Sequence, residues 1–387
     1  MTSLAERRTY LLGRYVLKIK AMHTHPSHAA LFDQRFVRLF DNKPLATLPT
    51  GLRCRHLFRI LNFDVPELLS LIQNPNPPWL IPKPDILFDL CKYDKNTTSD
   101  VVFQTNFKAL CHDHQTFRLI FTDGSKTITS VGCAYICGVR RAGFRLHDMC
   151  SVFTAELNAI REALKYILQC RGGSYMVCSD SKSALQAIHV LYSPHHLVVN
   201  IQCYLAKLHL RGYTVKFCWT PGHVGIEGNE QADLAAKMAA DLDDTDFDLV
   251  PVPDVNNAFK NHMVKLGQAC WDALHNNKLR RVMPSLSVKV RPPTTQLSRR
   301  EEVVLTRVRI GHTYLTHAYL FDQNKIAPKC DTCDVVLTVH HLLAECSLYD
   351  GLRLQLSLSQ SYEELLSYDN CGKHLTILKQ ANLINRL

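Results

Sequence analysis

Apolar residues recur at helical spacing in the first part of the chain. They form one row over residues 4–22 and a second over residues 57–72. Rows of this kind are typical of helices with one buried face. A proline-rich stretch at residues 74–84 interrupts the pattern. We therefore expect residues 1–115 to form short helices separated by breakers.

From residue 117 onwards the pattern is that of strands, followed by alternating helices and strands. Residues 117–122 are apolar and end at Asp123-Gly124-Ser125, a sequence typical of a turn. The predicted strands are 117–122, 131–138, 144–147, 175–179 and 213–219, and the predicted helices are 153–169, 182–191, 197–210 and 229–240. Three strands in a row, then alternation, predict an α/β domain over residues 116–241, with a mixed five-stranded sheet flanked by helices.

The sequence after this domain changes in composition. An acidic run, DLDDTDFD at residues 241–248, precedes Pro251 and Pro253, and this predicts a linker over residues 242–254. Residues 255–387 are expected to form a mainly helical tail. Its predicted helices are 257–276, 301–311 and 361–367.

The net charge of +10 is concentrated in two segments. Residues 1–60 hold eleven Lys or Arg against three acids, and residues 278–310 hold nine against two. Such clusters favour a polyanionic partner, because neutralised phosphates release their counterions; solvated helix faces are the alternative. No apolar run reaches the ~18–20 residues of a membrane span, so we expect no membrane partner. The fifteen cysteines, scattered through core segments, favour reduced thiols in the nucleus or cytoplasm.

Four acidic residues lie at positions where carboxylates have a chemical use. Asp123 and Asp180 each follow a predicted strand, at the end where α/β sheets form ligand sites. Glu156 lies on the apolar row of helix 153–169, where an unpaired carboxylate is costly. Asp233 falls in the first turn of helix 229–240, where the helix dipole favours an anion. Each acid has a local alternative, as a turn, cap, dipole or solvated residue, but together they favour one shared site.

Carboxylates that share a pocket repel one another unless divalent cations lie between them. Mg²⁺ takes oxygen ligands and keeps several waters. Two such ions, about 3.5–4 Å apart, stabilise both the entering and the leaving oxygen in phosphodiester hydrolysis. The acids therefore predict a two-metal site for phosphodiester chemistry.

The segments around these acids resemble the ribonuclease H family, in particular the domain at the C-terminus of non-LTR retrotransposon reverse transcriptases. The matching segments, in family order, are FTDGS at 121–125, TAEL at 154–157, SDS at 179–181, WTPGH at 219–223 and GNEQADLA at 228–235. The resemblance implies that Asp123, Glu156, Asp180 and Asp233 hold two Mg²⁺ or Mn²⁺ ions and that the RNA strand of RNA–DNA hybrids is cut. It also implies that His223 is a mobile histidine that helps product release or shuttles a proton.

Some features of the family and of its retroelement context are absent. Certain members carry an extra basic helix and loop that grips the hybrid, whereas residues 192–212 leave room for one helix with only Lys207 and Arg211 as basic residues. Hybrid affinity is then expected from the flanking basic segments, or is weak. Residues 1–115 resemble the end of the reverse transcriptase part, but no Tyr-x-Asp-Asp motif occurs. We therefore expect no polymerase activity and interpret the chain as a retroelement fragment.

The tail holds a second set of metal-binding residue types, Cys330, Cys333, His341 and Cys346. Thiolates and imidazole suit tetrahedral Zn²⁺, and four protein ligands would make the site structural. Similar retroelement tails place the histidine just before a Leu-Leu-x-Glu-Cys stretch, which favours His341 over His340. The alternative is a set of reduced side chains without metal.

Three functions follow from these residues. The first is an endonuclease that cuts the RNA strand of RNA–DNA hybrids by two-metal catalysis. The second is a non-catalytic nucleic-acid-binding module, a decayed or repurposed copy that uses the basic segments and the zinc knuckle. The third is metal-dependent cleavage of DNA, because a fold does not fix the substrate.

Overall fold

A computed structural model describes most of the chain, and its residues divide into two compact units. The described residues are 4–32, 37–40, 43–44, 47–70, 77, 79, 81–191, 193, 195–275, 277, 279–280, 283–286, 297–321, 326–357, 371–384 and 386. One unit is Thr9–Lys260, and the other combines Met1–Arg8 with Asn261–Leu387.

The chain begins with helices α1 (Leu4–Ala21), α2 (Ser27–Phe32), α3 (Val37–Phe40) and α4 (Thr50–Ile60). Helix α1 confirms the first predicted helix. The helix predicted at 57–72 is wrong, because α4 ends at Ile60 and Asn62 turns the backbone into the left-handed region with φ 50°. The amide of Phe63 then donates to the carbonyl of Phe58, which closes the helix end.

Two elements that the sequence did not indicate precede residue 115. Strand β1 (Asp85–Leu87) pairs in parallel with residues 216–218, and helix α5 (Asp100–Asp113) follows it. Three residues are too short to show an alternating pattern. The strand forms because a neighbouring strand supplies hydrogen bonds and because Lys216 Nζ lies 2.9 Å from Asp85 Oδ2.

The five predicted strands form one mixed sheet, as expected, and β1 adds a sixth. They are β2 (Arg118–Lys126), β3 (Val131–Cys137), β4 (Arg140–Leu146), β5 (Ser174–Ser179) and β6 (Thr214–Trp219). The order is β1-β6-β5-β2-β3-β4. Strands β1, β6, β5 and β2 are parallel neighbours, whereas β3 and β4 pair antiparallel.

The turn predicted at Asp123-Gly124-Ser125 is wrong. Asp123 pairs with Ala134 and Gly124 with Cys133, so β2 continues to Lys126 before the chain turns. A local Asp-Gly signal is overridden here, because β3 supplies the ladder that keeps these residues extended.

Helices cover both faces of the sheet. They are α6 (Val152–Gln169), α7 (Lys182–Ile188), α8 (His196–Leu210) and α9 (Glu227–Ala240). Successive residues of β5 point to opposite faces: Tyr175 and Val177 join the core with α6, α7 and α8, and Met176 and Cys178 join the core with α5. Asp233 lies in the second turn of α9, not its first as expected, because the helix starts at Glu227.

The acidic segment after α9 makes specific contacts with the sheet domain. The amide of Arg145 donates to Asp246 Oδ2 over 2.7 Å, and the amide of His147 donates to the carbonyl of Phe247. Arg161 lies over the Phe247 ring at 4.6 Å. Helix α10 (Val252–Asp272) follows, and the side chain of Asp254 accepts a hydrogen bond from the amide of Ser151 at the start of α6.

The second unit contains short elements around a small apolar core. They are α11 (Arg299–Ile310), α12 (Tyr314–His317), a π-helical turn (His341–Glu345), α13 (Asp350–Gln355) and α14 (Cys371–Gln380). Helix α11 matches the prediction at 301–311, while the helix predicted at 361–367 lies outside the described residues. In the part of the chain that the structure describes, no helix is long and apolar enough to cross a membrane.

Candidate metal centres

Two of the four predicted acids lie at the same edge of the sheet. The pairing of β2 with β5 ends at Thr122 and Ser179. Asp123 follows Thr122 in β2, and Asp180 follows Ser179 at the end of β5. Because β2 and β5 are parallel, the residues that follow their last shared pair lie at the same edge of the sheet, and the two side chains come together there. The indole of Trp219 donates to the carbonyl of Asp180 over 2.9 Å and holds this chain end in place.

Gly124, which has no side chain, allows the third acid, Glu156, to lie at this edge. A Cβ at Gly124 would lie 2.5 Å from the amide nitrogen of Glu156, so only glycine lets the first turn of α6 approach β2 so closely. Ser151 caps α6 by accepting a hydrogen bond from the amide of Thr154. Gly222 plays a similar part, because a Cβ there would lie 2.4 Å from Asp180 Oδ2.

Asp123, Glu156 and Asp180 form the first group of potential metal ligands. One carboxylate oxygen from each lies within 4.8 Å of the others. Asp123 and Glu156 are 5% exposed, and Glu156 Oε2 has no hydrogen-bond partner. Among the described residues, the ion pairs at this edge go to Asp233 and none goes to these three acids. Buried carboxylates with a free oxygen are a donor set that fits Mg²⁺.

The electrostatics of this group favour protons or cations. Burial, then Asp180 and Asp233, raise the pKa of Asp123 to about 8. Burial, then Asp123 and Asp180, raise the pKa of Glu156 well above its usual value. Burial also raises the pKa of Asp180, although His223 opposes this rise. The three groups therefore repel one another as anions, and a divalent cation would relieve that repulsion.

Asp233 lies beside the first group and belongs to a second. Its carboxylate is close enough to Asp123 to raise the pKa of that carboxyl group. Its own cluster contains His223 and Glu230, with one ligand atom of each residue within 4.8 Å. Asp233 Oδ2 also pairs with Lys237 Nζ at 2.7 Å, and that lysine is half exposed. The fourth predicted acid is therefore the one that is already partly neutralised.

Glu230 and Lys237 were not among the residues chosen from the sequence. They lie three residues before and four residues after Asp233, so all three share one face of α9. That spacing was visible in the sequence, and it is the signal that could have found them.

His223 lies on a loop that is anchored by buried neighbours, while its own side chain is largely exposed. Its side chain is 65% exposed, and its backbone has φ 57°. Its Nδ1 lies 3.8 Å from Glu230 Oε2 and 4.0 Å from Asp233 Oδ2. The buried hydroxyl of Thr220 donates to Asn229 Oδ1 over 3.1 Å and anchors the start of the loop. The histidine is thus placed at the rim of the acidic edge.

The four residues singled out in the tail also come together. Cys330, Cys333, His341 and Cys346 each place one ligand atom within 4.8 Å of the others. The first two lie on a tight turn that is closed by the antiparallel bridge between Lys329 and Val336. His341 is the first residue of the π-helical turn and Cys346 directly follows it. The Sγ atoms of Cys330 and Cys346 are 3.7 Å apart.

The histidine of this cluster has the surroundings of a metal ligand. His341 is 4% exposed, and its Nε2 has no hydrogen-bond partner. Its Nδ1 lies 3.6 Å from Glu345 Oε2, an arrangement that orients a ligating imidazole. His340 instead pairs with Glu345 at 2.8 Å and is half exposed. Three thiols and one free imidazole nitrogen fit tetrahedral Zn²⁺. The three cysteines of this cluster are free thiols.

Comparison with known families supports the interpretation of the sheet domain. Residues 115–241, about one third of the chain, match the RNase H family. The match runs from β2 to α9 and includes Asp123, Glu156, Asp180, His223 and Asp233. These residues form a ribonuclease H-like domain, with the mixed sheet and flanking helices expected of it. No curated protein matches the sequence of this chain.

Proposed function

We propose that this protein is an endonuclease that hydrolyses the RNA strand of RNA–DNA hybrids. The observation that carries the proposal is the convergence of Asp123, Glu156 and Asp180 at one sheet edge, with a buried unpartnered oxygen on Glu156. The match of this domain to the RNase H family supports the same reaction class. Asp233, at the rim of the same edge, is proposed as the fourth ligand.

The proposed metals are two Mg²⁺ ions, with Mn²⁺ as a substitute. Bound there, they would supply an activated water and stabilise the leaving oxygen of the scissile phosphodiester. One product strand would then end in a 3′-hydroxyl. Asp123 and Glu156 would hold the ions from the buried side of the site. The more exposed Asp180 and Asp233 lie on the side open to the substrate. Asp233 must exchange its contact with Lys237 for a metal ion, and the exposure of that lysine makes the exchange easy.

His223 is proposed to act at the open side of this site. Its exposed ring lies 4.0 Å from Asp233 and can swing without moving the buried acids. An imidazole in this position can take or give a proton near the leaving oxygen and can help the product to leave. A change at His223 should therefore lower the turnover number more than it weakens hybrid binding.

The remainder of the chain is proposed to bind nucleic acid. The basic segments at 1–60 and 278–310 supply positive charge for phosphates. The Cys330, Cys333, His341 and Cys346 cluster is proposed to hold a structural Zn²⁺. This cluster and the order of the sheet motifs support an origin in a retroelement, with domain boundaries at 1–115, 116–241, 242–254 and 255–387.

Cleavage of defined duplexes by the full chain tests the proposal. The substrates are an end-labelled RNA–DNA hybrid, an RNA duplex and a DNA duplex, each in Mg²⁺ and in EDTA. We expect Mg²⁺-dependent cutting of the hybrid RNA strand alone, and loss of cutting in Asp123→Asn. Asp94→Asn, an exposed acid outside the cluster, is the matched control. Hybrid binding without cutting by the wild type would support a binding module instead, and cutting of the DNA duplex would support a DNA nuclease.

A further inference from the structure

Helix α5 lies outside the range that matches the RNase H family, yet it is part of the same core. Phe103, Phe107 and Leu110 are buried against the sheet face formed by Met176, Cys178 and Cys218. Val224 and Ile226, from the loop that carries His223, complete this cluster. The helix therefore packs directly under the histidine loop.

One side chain of α5 contacts the backbone of that loop. Gln104 Nε2 donates a hydrogen bond to the carbonyl oxygen of Val224 over 2.9 Å. Val224 is 1% exposed and directly follows His223. The next residue, Gly225, has φ 75°, and a Cβ there would lie 2.5 Å from Gln104 Nε2. The backbone conformation therefore favours glycine here, and a Cβ would displace the Gln104 amide from its present position.

The loop needs this support because it holds a strained residue. A non-glycine residue such as His223 is strained in the left-handed region, and the surrounding contacts must maintain it. Two of those contacts come from the matched domain: Thr220 bonds to Asn229, and the amide of Gly225 donates to Glu230 Oε1 over 3.3 Å. Without Gln104, the buried carbonyl of Val224 would lose its amide partner, and a buried unsatisfied carbonyl is costly.

We propose that Gln104 is a positioning residue that holds the His223 loop in its working conformation, so that the functional unit of the nuclease begins before residue 115. This inference rests on the proposed function of His223. The amide of Gln104 bonds to the backbone carbonyl of Val224, and the proposed role is exerted through this contact. Its loss should change the placement of the imidazole and leave the acidic cluster intact.

The test uses the full chain with two near-isosteric changes that remove the donor, Gln104→Glu and Gln104→Met. Thr105→Ala, an exposed position on the same helix, is the control. We expect kcat on the hybrid to fall about tenfold, as for a small misplacement of an active group, with KM nearly unchanged. In a His223→Ala background the same changes should have almost no further effect. Independent, additive losses in the double variants would overturn the proposal.

A second readout does not depend on catalysis. The imidazole NMR signal of His223, assigned by its absence in His223→Ala, should shift or broaden in both Gln104 variants, and hydrogen exchange of the amides at 222–226 should accelerate. The Thr105→Ala control should leave both unchanged. An unperturbed His223 signal with unchanged exchange would refute the role of Gln104 even if the wild type cuts hybrids. If the wild type cuts nothing, the proposed function fails, while these spectra still decide whether Gln104 fixes the loop.

Discussion

The protein has two sets of potential metal ligands, and they are built in different ways. Asp123, Glu156 and Asp180 come from three elements spread over 58 positions and rest on a large buried core. The Cys330 to Cys346 set spans 17 residues in short, irregular elements. Each set leaves one buried atom without a partner, Glu156 Oε2 in the first and His341 Nε2 in the second. A sheet with a large core can hold repelling carboxylates in place without a bound metal ion. A short, irregular segment with a small core depends on a bound ion for its own structure.

The largest effect should come from breaking the acidic group. Asp123→Asn or Asp180→Asn keeps the shape of the side chain and removes a negative ligand, so we expect hybrid cleavage to fall at least ~10³-fold. Single-turnover cleavage at saturating Mg²⁺ measures this loss. Circular dichroism should be that of the wild type, because the sheet positions these residues. Residual activity within tenfold of the wild type would contradict the metal-ligand role.

Breaking the Cys/His cluster should change structure before it changes chemistry. In Cys330→Ser we expect the bound zinc, about one ion per chain in the wild type, to fall below detection by elemental analysis, because a structural site needs all four ligands. Hydrogen exchange should accelerate at residues 329–347 while β2, β5 and α6 stay protected. Cys270→Ser, at an exposed cysteine outside the cluster, is the control. A wild-type chain purified without zinc that shows the same protection would rule the site out.

The third prediction concerns pH in the absence of metal. The pKa of Asp123 is raised from an ordinary value near 4 to about 8 in the folded protein, so the folded state holds a proton that the unfolded state releases. Its contribution to stability is complete below about pH 4 and is lost as the pH rises towards 8. In EDTA, the Tm of the wild type should therefore fall over this range, and that of Asp123→Asn should fall less.

Magnesium sharpens this pH experiment. At pH 8, Mg²⁺ should raise the Tm of the wild type by several degrees, because the cation relieves the repulsion among Asp123, Glu156 and Asp180. The same addition should have little effect on Asp123→Asn. An Mg²⁺ response of equal size in both proteins would show that the cation stabilises the chain elsewhere.

The smallest effect is expected at Lys95, a basic residue near the acidic group. Lys95 is exposed and lies near enough to Asp180 to oppose the rise of its pKa. We expect Lys95→Ala to raise the KM for the hybrid about two- to threefold and to reduce the salt slope of binding by about one. Fluorescence anisotropy at several salt concentrations checks both. Lys108→Ala, an exposed lysine on α5, is the control, and an equal change there would show only a general effect of charge.

Much of this architecture could be predicted from the sequence, but not all of it. The apolar row through Glu156 and the strand patterns before Asp123 and Asp180 were sufficient to predict that these three acids share one site. The turn at Asp123-Gly124-Ser125 was predicted wrongly, because local turn preference cannot report a distant ladder partner such as β3. Gln104 could not be found at all, since its partner lies 120 positions away and a single amide has no pattern. Local periodicity predicts which face of a helix or strand is buried. The loop or strand that packs against that face is known only from the folded structure.

The docking of Phe247 against β4 has a consequence for self-association. An edge strand with open amides and carbonyls is a template for pairing with another chain. Here residues 246 and 247 satisfy backbone groups of Arg145 and His147, and several acids surround this cap. The segment therefore satisfies backbone groups at the carboxyl end of this edge strand, and another chain cannot pair with them while the segment is in place.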